Sequence, residues 1–356
     1  MILTALLLQN FRSYAKKTFE FSSQTTIIVG PNTAGKTNIL EAIFMCATGK
    51  SFRAEQDREV IRWGEELSAV SCQLSAREEK IQLEVKITTG EVQGAKAPLK
   101  KYLVNGVPRR MIDFVGNLRT VLFWPEHLEL VTDSPSLRRR YLDSVLVQVD
   151  REYRRNLLSY ERGLRQRNRL LDFISEGSAH RHQLLFWDQL LIKAGGYITE
   201  KRGAMIDFVN QFQISNFKFQ IEYDKSVISE SRLEQYKDEE VATKATLVGP
   251  HRDDFIVQVK SQKSKVKSEE GFDYLDLSKY GSRGEPRKAI DLAIYGSRGE
   301  QRLAILWLKL AELAYIETQV GERPVLLLDD IFSELDEAHR ELVVELIGKQ
   351  QTIVTS

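Results

Sequence analysis

Residues 30–37 read Gly30-Pro31-Asn32-Thr33-Ala34-Gly35-Lys36-Thr37, a full G-x-x-x-x-G-K-[ST] spacing, followed by Asn38 at the start of a helix-like stretch. Such a loop binds phosphate for mechanical reasons. Gly30 and Gly35 let the backbone curl so that successive N–H groups face one anion, Lys36 reaches the β- and γ-phosphates, and the Thr37 hydroxyl ligates Mg²⁺. A plain glycine turn between strand and helix is the bland alternative. A second acidic centre lies 292 positions downstream, where the apolar run Val325–Leu328 ends in Asp329-Asp330. A carboxylate at the carboxyl end of a buried parallel strand faces the crevice in which such a loop sits. Asp329 is therefore the expected partner of Thr37 on Mg²⁺, and Asp330 the group that orients or deprotonates an attacking water. Taken alone, the pair is also compatible with an acidic turn after a strand.

A third motif, Ser297-Arg298-Gly299-Glu300-Gln301, precedes an apolar helical pattern through Leu303, Leu306, Leu310 and Leu313. A serine and a glycine at a helix N-terminus present hydroxyl, N–H groups and the positive dipole end to an anion. The same letters also suit a simple turn and helix cap.

These residues need elements to hold them. Strands are expected at Ile2–Leu8, Thr18–Phe21, Thr25–Val29, Ala69–Leu74 and Ile81–Thr88, with an exposed hairpin connection over Gly90–Pro98. From about residue 134 to 214 long helical patterns take over, with Tyr141, Val145, Val149, Tyr153, Leu157 and Tyr160 at three- or four-residue spacing. The polar run Ser226–Thr243 reads as a poorly packed connection, and Phe255–Val259 restores strand alternation. The expected division is a nucleotide lobe over 1–118 and 245–356, interrupted by a helical lobe over 119–244. The expected class is α/β: a phosphate-loop NTPase sheet with an added antiparallel strand region and an inserted helical lobe.

Composition narrows the alternatives. With 356 residues and 42% hydrophobic content the chain can bury two lobes. Met1–Leu8 is too short to span a membrane and lacks the basic start of a signal peptide, so a cytoplasmic location without membrane attachment is expected. Cys46 and Cys72 form no C-x-x-C or Cys/His cluster, which argues against a disulfide framework or zinc site. The net charge of +1 gives no global case for nucleic acid. Locally, Ser136–Arg169 carries ten arginines against four acids. Arg138, Arg139, Arg140, Arg151, Arg154 and Arg155 are the candidate DNA contacts, while a solvated helix face with internal ion pairs, or bracing of the nucleotide lobe, remains open.

The three nucleotide motifs, together with Asn10-Phe11-Arg12-Ser13-Tyr14, Pro125–Val131 with Ser134-Pro135 and Arg138–Asp143, Leu247–Asp254 and Asp329–Asp336, resemble the RecF family of recombination mediators, whose ATPase head is similar to those of SMC proteins. Asp133 stands where that family usually has glycine. The resemblance implies a head-to-tail homodimer holding two ATP molecules, with Ser297–Gln301 acting in trans and Ser333-Glu334-Leu335-Asp336 forming a dimer loop. It adds Arg12 to the ATP contacts. It also implies ATP-dependent binding of gapped or junction DNA, slow hydrolysis, and cooperation with RecO and RecR to load RecA.

Two oddities accompany the motifs. Tyr280–Ile290 repeats at Tyr295–Ile305 with nine of eleven positions identical. The second copy is the expected signature because it flows without interruption into a helix and carries Gln301. The chain also ends inside the strand-like Gln351–Thr355, so the switch residue and final segment that follow such a strand in the superfamily are missing or lie outside this sequence. A transporter ATPase would usually carry Glu in place of Asp330 and lack Arg138-Arg139-Arg140. An SMC-type structural protein needs longer heptad arms, an overcoming-lysogenisation nuclease needs a further acidic domain, and a nucleotide-independent DNA-binding module needs no phosphate loop.

Overall fold

The computed structural model describes residues 1–76, 79–212, 218–260, 289–331, 340, 343–344 and 347–356. The chain opens with an antiparallel pair, β1 (Ile2–Phe11) and β2 (Tyr14–Glu20), then β3 (Thr25–Ile28), and passes through the phosphate loop into helix α1 (Lys36–Thr48). Next come β4 (Leu67–Ala76), β5 (Glu79–Thr88), a two-residue hairpin β6 (Glu91–Val92) and β7 (Ala95–Lys96), then β8 (Lys100–Val104), β9 (Val107–Arg109) and the single turn α2 (Met111–Phe114). Strands β2-β1-β4-β5-β8-β9 form one antiparallel sheet. Val70, Cys72 and Leu74 of β4 point into the core with the alternation expected of a sheet buried on one face, beside Leu3, Leu6, Leu8 and Phe11 of β1, whose register shifts between Leu3 and Ala5.

After β10 (Thr120–Phe123) and the turn α3 (Glu129–Thr132), the chain enters three long helices, α4 (Pro135–Val149), α5 (Arg151–Ser175) and α6 (Leu185–Gln211). The continuous apolar spacing across 141–160 is in fact two helices. Asp150 is extended at φ −123°, and its carboxylate accepts from the Glu152 and Tyr153 amides, ending one helix and capping the next. Strand β11 (Phe219–Asp224), α7 (Glu230–Gln235), α8 (Lys237–Thr243) and β12 (Asp254–Lys260) follow, then β13 (Ala289–Asp291), α9 (Leu292–Tyr295), α10 (Arg298–Val320), β14 (Val325–Asp329) and β15 (Thr352–Thr355). Strands β11-β12-β13 form an antiparallel ribbon, and β10-β14-β15-β3 a wholly parallel sheet. As expected from its unbroken apolar run, β14 is an interior strand buried on both faces. Helix α1 lies between the two large sheets, which explains why it is buried nearly all round rather than along one stripe.

Two stretches fold differently from the expectation. Thr120–Phe123 pairs in parallel with Val325–Leu328, so the nucleotide sheet extends past the expected limit at residue 118 and the helical insertion begins after β10. The run Ser226–Thr243 is not a loose connection. Ser229 caps α7, and Glu240 on α8 is buried against Arg167 of α5. A polar stretch looked unpacked because its buried anchor is a carboxylate whose partner lies 73 residues away.

Candidate functional site

Every strand of the parallel sheet ends at the same edge. β3 delivers the phosphate loop, β14 delivers Asp329 and Asp330, β15 delivers Thr355, and β10 delivers Trp124-Pro125-Glu126. The loop's curvature comes from Thr33 at φ 73° and Gly35 at φ 88°. Gly35 is required twice, by its left-handed backbone and by crowding: a Cβ there would sit 2.8 Å from the Ser13 hydroxyl oxygen and 3.0 Å from that of Tyr14. The Tyr14 hydroxyl lies 3.2 Å from the carbonyl oxygens of both Ala34 and Gly35, so the β1–β2 turn clamps the loop from outside. Pro31, Asn32, Thr33 and Ala34 are exposed at the loop mouth. Lys36 folds its ammonium over the loop, donating to the carbonyls of Gly30 at 2.6 Å and Pro31 at 3.1 Å.

The central contact is Thr37 Oγ1 donating to Asp329 Oδ1 at 3.0 Å. Asp329 is itself buried and accepts from Thr355 Oγ1 at 2.7 Å, which fixes its carboxylate between two hydroxyls. Hydroxyl and carboxylate oxygens suit a hard cation such as Mg²⁺, which takes one or two protein oxygens and completes its shell with phosphate and water. Glu126 borders the same place: burial raises its pKa, and the charges of Glu129 and Asp329 raise it further. Asp330 is exposed and left-handed at φ 47°, its N–H directed to Thr355, so its carboxylate projects from the strand edge instead of following Asp329 into the sheet.

Behind the loop, Glu41 is fully buried on α1 and gathers Arg12, Ser51 and Arg53. Burial by itself would push this carboxyl up, but the two guanidinium groups and the Ser51 hydroxyl hold it below its usual range. Arg53 also donates to Asn38 Oδ1 at 2.6 Å, and Asn38 donates to Ser13 Oγ at 3.1 Å. Arg12, expected to touch ATP, grips Glu41 through two nitrogens at 2.6 and 3.0 Å and gives its third to the Glu59 carbonyl. In this structure it positions the helix that carries Lys36 and Thr37. Sequence reading missed Glu41, Arg53 and Glu126. The one available signal was an acid inside the apolar run Ile39–Phe44, since a lone charge on a fully buried helix must find a cation.

Ser297 caps α10: Glu300 N–H donates to Ser297 Oγ at 3.3 Å, and Glu300 Oε2 accepts from the Ser297 amide at 2.7 Å. Ser297, Arg298, Gly299 and Glu300 are exposed, and Gln301 ties the turn to the carbonyls of Leu292 and Gly296. Among the described residues no hydrogen bond joins Ser297–Gln301 to Gly30–Asn38. Ser333, Glu334, Leu335 and Asp336, and the first copy of the repeated hexapeptide, lie outside the described residues.

The candidate DNA arginines divide. Arg138 is buried, bidentate to Asp254 at 2.6 and 2.8 Å, and donates to the Asp133 carbonyl. Arg154 is buried against the Val147 carbonyl with its pKa lowered to about 10 by burial. Neither can reach a phosphate outside the protein, so both leave the DNA set. Arg139 donates to the Asp253 carbonyl and is half-buried. Arg140, Arg151 and Arg155 remain exposed.

Phosphate loop, strand-end acids, helix-capping serine, paired sheets and inserted helices together define an ABC/SMC-type ATPase head, and residues 2–356 match the family described as RecF/RecN/SMC N terminal domain. Within that class the chain belongs to the RecF family. It is 34% identical to the DNA replication and repair protein RecF of Lachnoclostridium phytofermentans, covering all of this chain and 92% of that one, and 35% identical to that of Chloroflexus aurantiacus, covering 99% and 92%. It also superposes on a solved structure of the recombination mediator protein RecF with ATP, of the RecFOR pathway, with a TM-score of 0.82 and 29% identity over all of this chain and 91% of the other.

Proposed function

We propose that this chain is an ATP-dependent DNA-binding recombination mediator of DNA replication and repair, working in the cytoplasm. ATP held between two copies clamps the protein on gapped or junction DNA, where RecO and RecR help it load RecA. The observation that carries the ATP reading is the 3.0 Å hydrogen bond between Thr37 and Asp329, which joins loop and strand end into one oxygen-lined site. The family supports the role in repair, and a relative's solved complex with ATP supports the nucleotide.

In this reading the amides of residues 31–37 bind the triphosphate and Lys36 exchanges its loop carbonyls for phosphate oxygens. Thr37 and Asp329 hold Mg²⁺, which supplies charge neutralisation for the β- and γ-phosphates. Asp330, exposed at the strand end, orients the attacking water and accepts its proton. Ser297 and the first amides of α10 meet the γ-phosphate of the nucleotide bound by the partner subunit. Residues 333–336 complete that contact, and Arg12 acts through Glu41 on the placing of α1. Hydrolysis is slow and serves as a switch that releases the clamp.

The test is retention of a gapped duplex with and without ATP, for the native chain and Lys36→Ala. ATP should raise DNA retention and dimer content in the native chain and change neither in the variant. If ATP leaves both unchanged in the native chain, the mediator mechanism fails.

A further inference from the structure

Helix α5 turns one face to the protein and presents a line of arginines on the opposite face. Tyr153, Tyr160, Gly163, Arg167 and Leu171 are buried. On the other side stand Arg151, Arg155, Arg162, Arg165 and Arg169, all exposed. At 100° per residue these five fall within about 40° of a single line, and at 1.5 Å per residue the line is about 27 Å long. No buried partner explains the alignment.

The acids that might neutralise this line are largely engaged elsewhere or at one end. Glu161 faces Lys50 and Asp172 faces Lys244. Glu152 pairs with Arg155 and accepts from Asn156, while Asp113 joins Arg110 and Arg151. Arg162 and Arg165 make no hydrogen bond or ion pair among the described residues. At its amino-terminal end the line opens into a 140 Å³ cleft lined by Arg110, Ile112, Arg151 and Arg155; two of these, Arg110 and Arg151, also converge on the Asp113 carboxylate, guanidinium groups from two elements meeting one oxyanion.

We propose that this face of α5, begun by the Arg110 cleft, is a track for the phosphate backbone of duplex DNA; the proposal rests on the DNA-binding function inferred above. The occupant follows from the chemistry of the line. Guanidinium groups repeat over a length equal to about eight base pairs at 3.4 Å each, and they recur at intervals a flexible side chain can match to successive phosphates. Tyr153 and Tyr160 point inward, and the one aromatic on this face of α5 is Phe173 at its carboxyl-terminal end, whose ring is covered by the Arg169 guanidinium at 5.4 Å. Single strands are held largely by stacking of successive bases on aromatic platforms, so a cationic line with one aromatic, at its end and already covered, favours a duplex whose bases stay paired. It reads charge and spacing, not sequence.

The test compares the native chain, Arg162→Ala/Arg165→Ala/Arg169→Ala and the corresponding triple lysine variant, each with ATP, by fluorescence anisotropy on a 30-base-pair duplex and on oligo-dT over a range of salt. The three alanines should weaken duplex binding about tenfold or more near 0.1 M salt and lower the slope of log K against log salt by about 2 to 3, since each phosphate contact contributes about 0.9. Lysines should restore most of the slope. Binding of a fluorescent ATP analogue, read in parallel, should be unchanged and shows that the variants are folded. If the alanine variant binds duplex with the native affinity and slope, the track is wrong and the DNA reading stands. A loss as large on oligo-dT as on duplex overturns the duplex assignment. If the native chain with ATP does not bind duplex at all, the DNA reading itself falls and takes the track with it.

Discussion

A phosphate loop needs its lysine because backbone amides alone cannot balance the charge of a triphosphate. Lys36→Ala should therefore weaken ATP binding by about 30- to 100-fold, the loss of about 2–3 kcal/mol of charge-assisted contact, measured by titration of a fluorescent ATP analogue. Asp330 is proposed to have a different task. It is joined to Thr355 through its backbone N–H and not through the Thr37–Asp329 contact, so Asp330→Asn, which keeps that N–H, should leave ATP-driven dimers intact while cutting hydrolysis by about a hundredfold or more. Phosphate release and light scattering on one sample separate the two effects, and equal loss of both would remove Asp330 from the role of base. Glu41 illustrates how a residue without chemistry of its own sets chemistry elsewhere. Its carboxylate holds Arg12 and Arg53 against the helix that presents Lys36 and Thr37.

At the scale of elements, the inserted helices are fastened by buried ions instead of by apolar packing alone. Arg167 of α5 reaches Asp188 of α6 at 2.6 Å, Glu240 of α8 at 2.7 Å and the Thr246 hydroxyl at 2.8 Å. Removing it leaves Glu240 buried without its cation, so Arg167→Ala should cost about 3–5 kcal/mol, visible as a lowered midpoint in urea. Helix α10 is braced in the same region: Trp307 donates to the Phe212 carbonyl, and buried Lys309 pairs with Glu312 at 2.9 Å and lies over the Tyr141 ring. The turn that carries Ser297 is thus rooted in the inserted helices.

His251 joins α5 to the segment before β12. Its Nδ1 lies 2.8 Å from the Tyr160 hydroxyl and its Nε2 2.9 Å from the Thr246 carbonyl, an arrangement suited to the neutral ring donating at Nε2 and accepting at Nδ1. Burial pushes its pKa down from 6.5 to about 4. Between those values the unfolded chain binds a proton that the folded one refuses. Stability is therefore complete above pH 6.5 and falls as pH drops toward 4, by about 2–3 kcal/mol from this group. Urea titrations at pH 7 and pH 5 should show a smaller difference for His251→Gln than for the native chain. Equal differences would show that the drop arises at other groups.

For the whole molecule, the exposed Ser297 cap and the phosphate loop make no hydrogen bond to each other within one copy, which suits a nucleotide gripped from two sides by two copies. Ser297→Ala should abolish ATP-driven dimerisation in light scattering while ATP binding to the monomer persists. Ser282→Ala, in the earlier copy of the repeat, should dimerise as the native chain does, and the reverse pattern would reassign the signature.

The linear sequence by itself determined the phosphate-loop, strand-end and helix-cap motifs and the short elements around them. A turn such as Gly30–Thr37, a capping serine before α10 and the unbroken apolar run of β14 act through neighbours along the chain. It also carried enough family-specific pattern to place the chain among RecF relatives. Tertiary structure decided which charges work inside the protein and which face outward. Arg138, Arg154 and Arg167 look no different in the sequence from Arg162 and Arg165, yet the first three are buried on carboxylates or carbonyls and the last two are exposed. The reason is that a guanidinium is stable in either setting, in water or against a buried acceptor. Only the packing of distant segments such as Asp254 and Glu240 determines which one it meets.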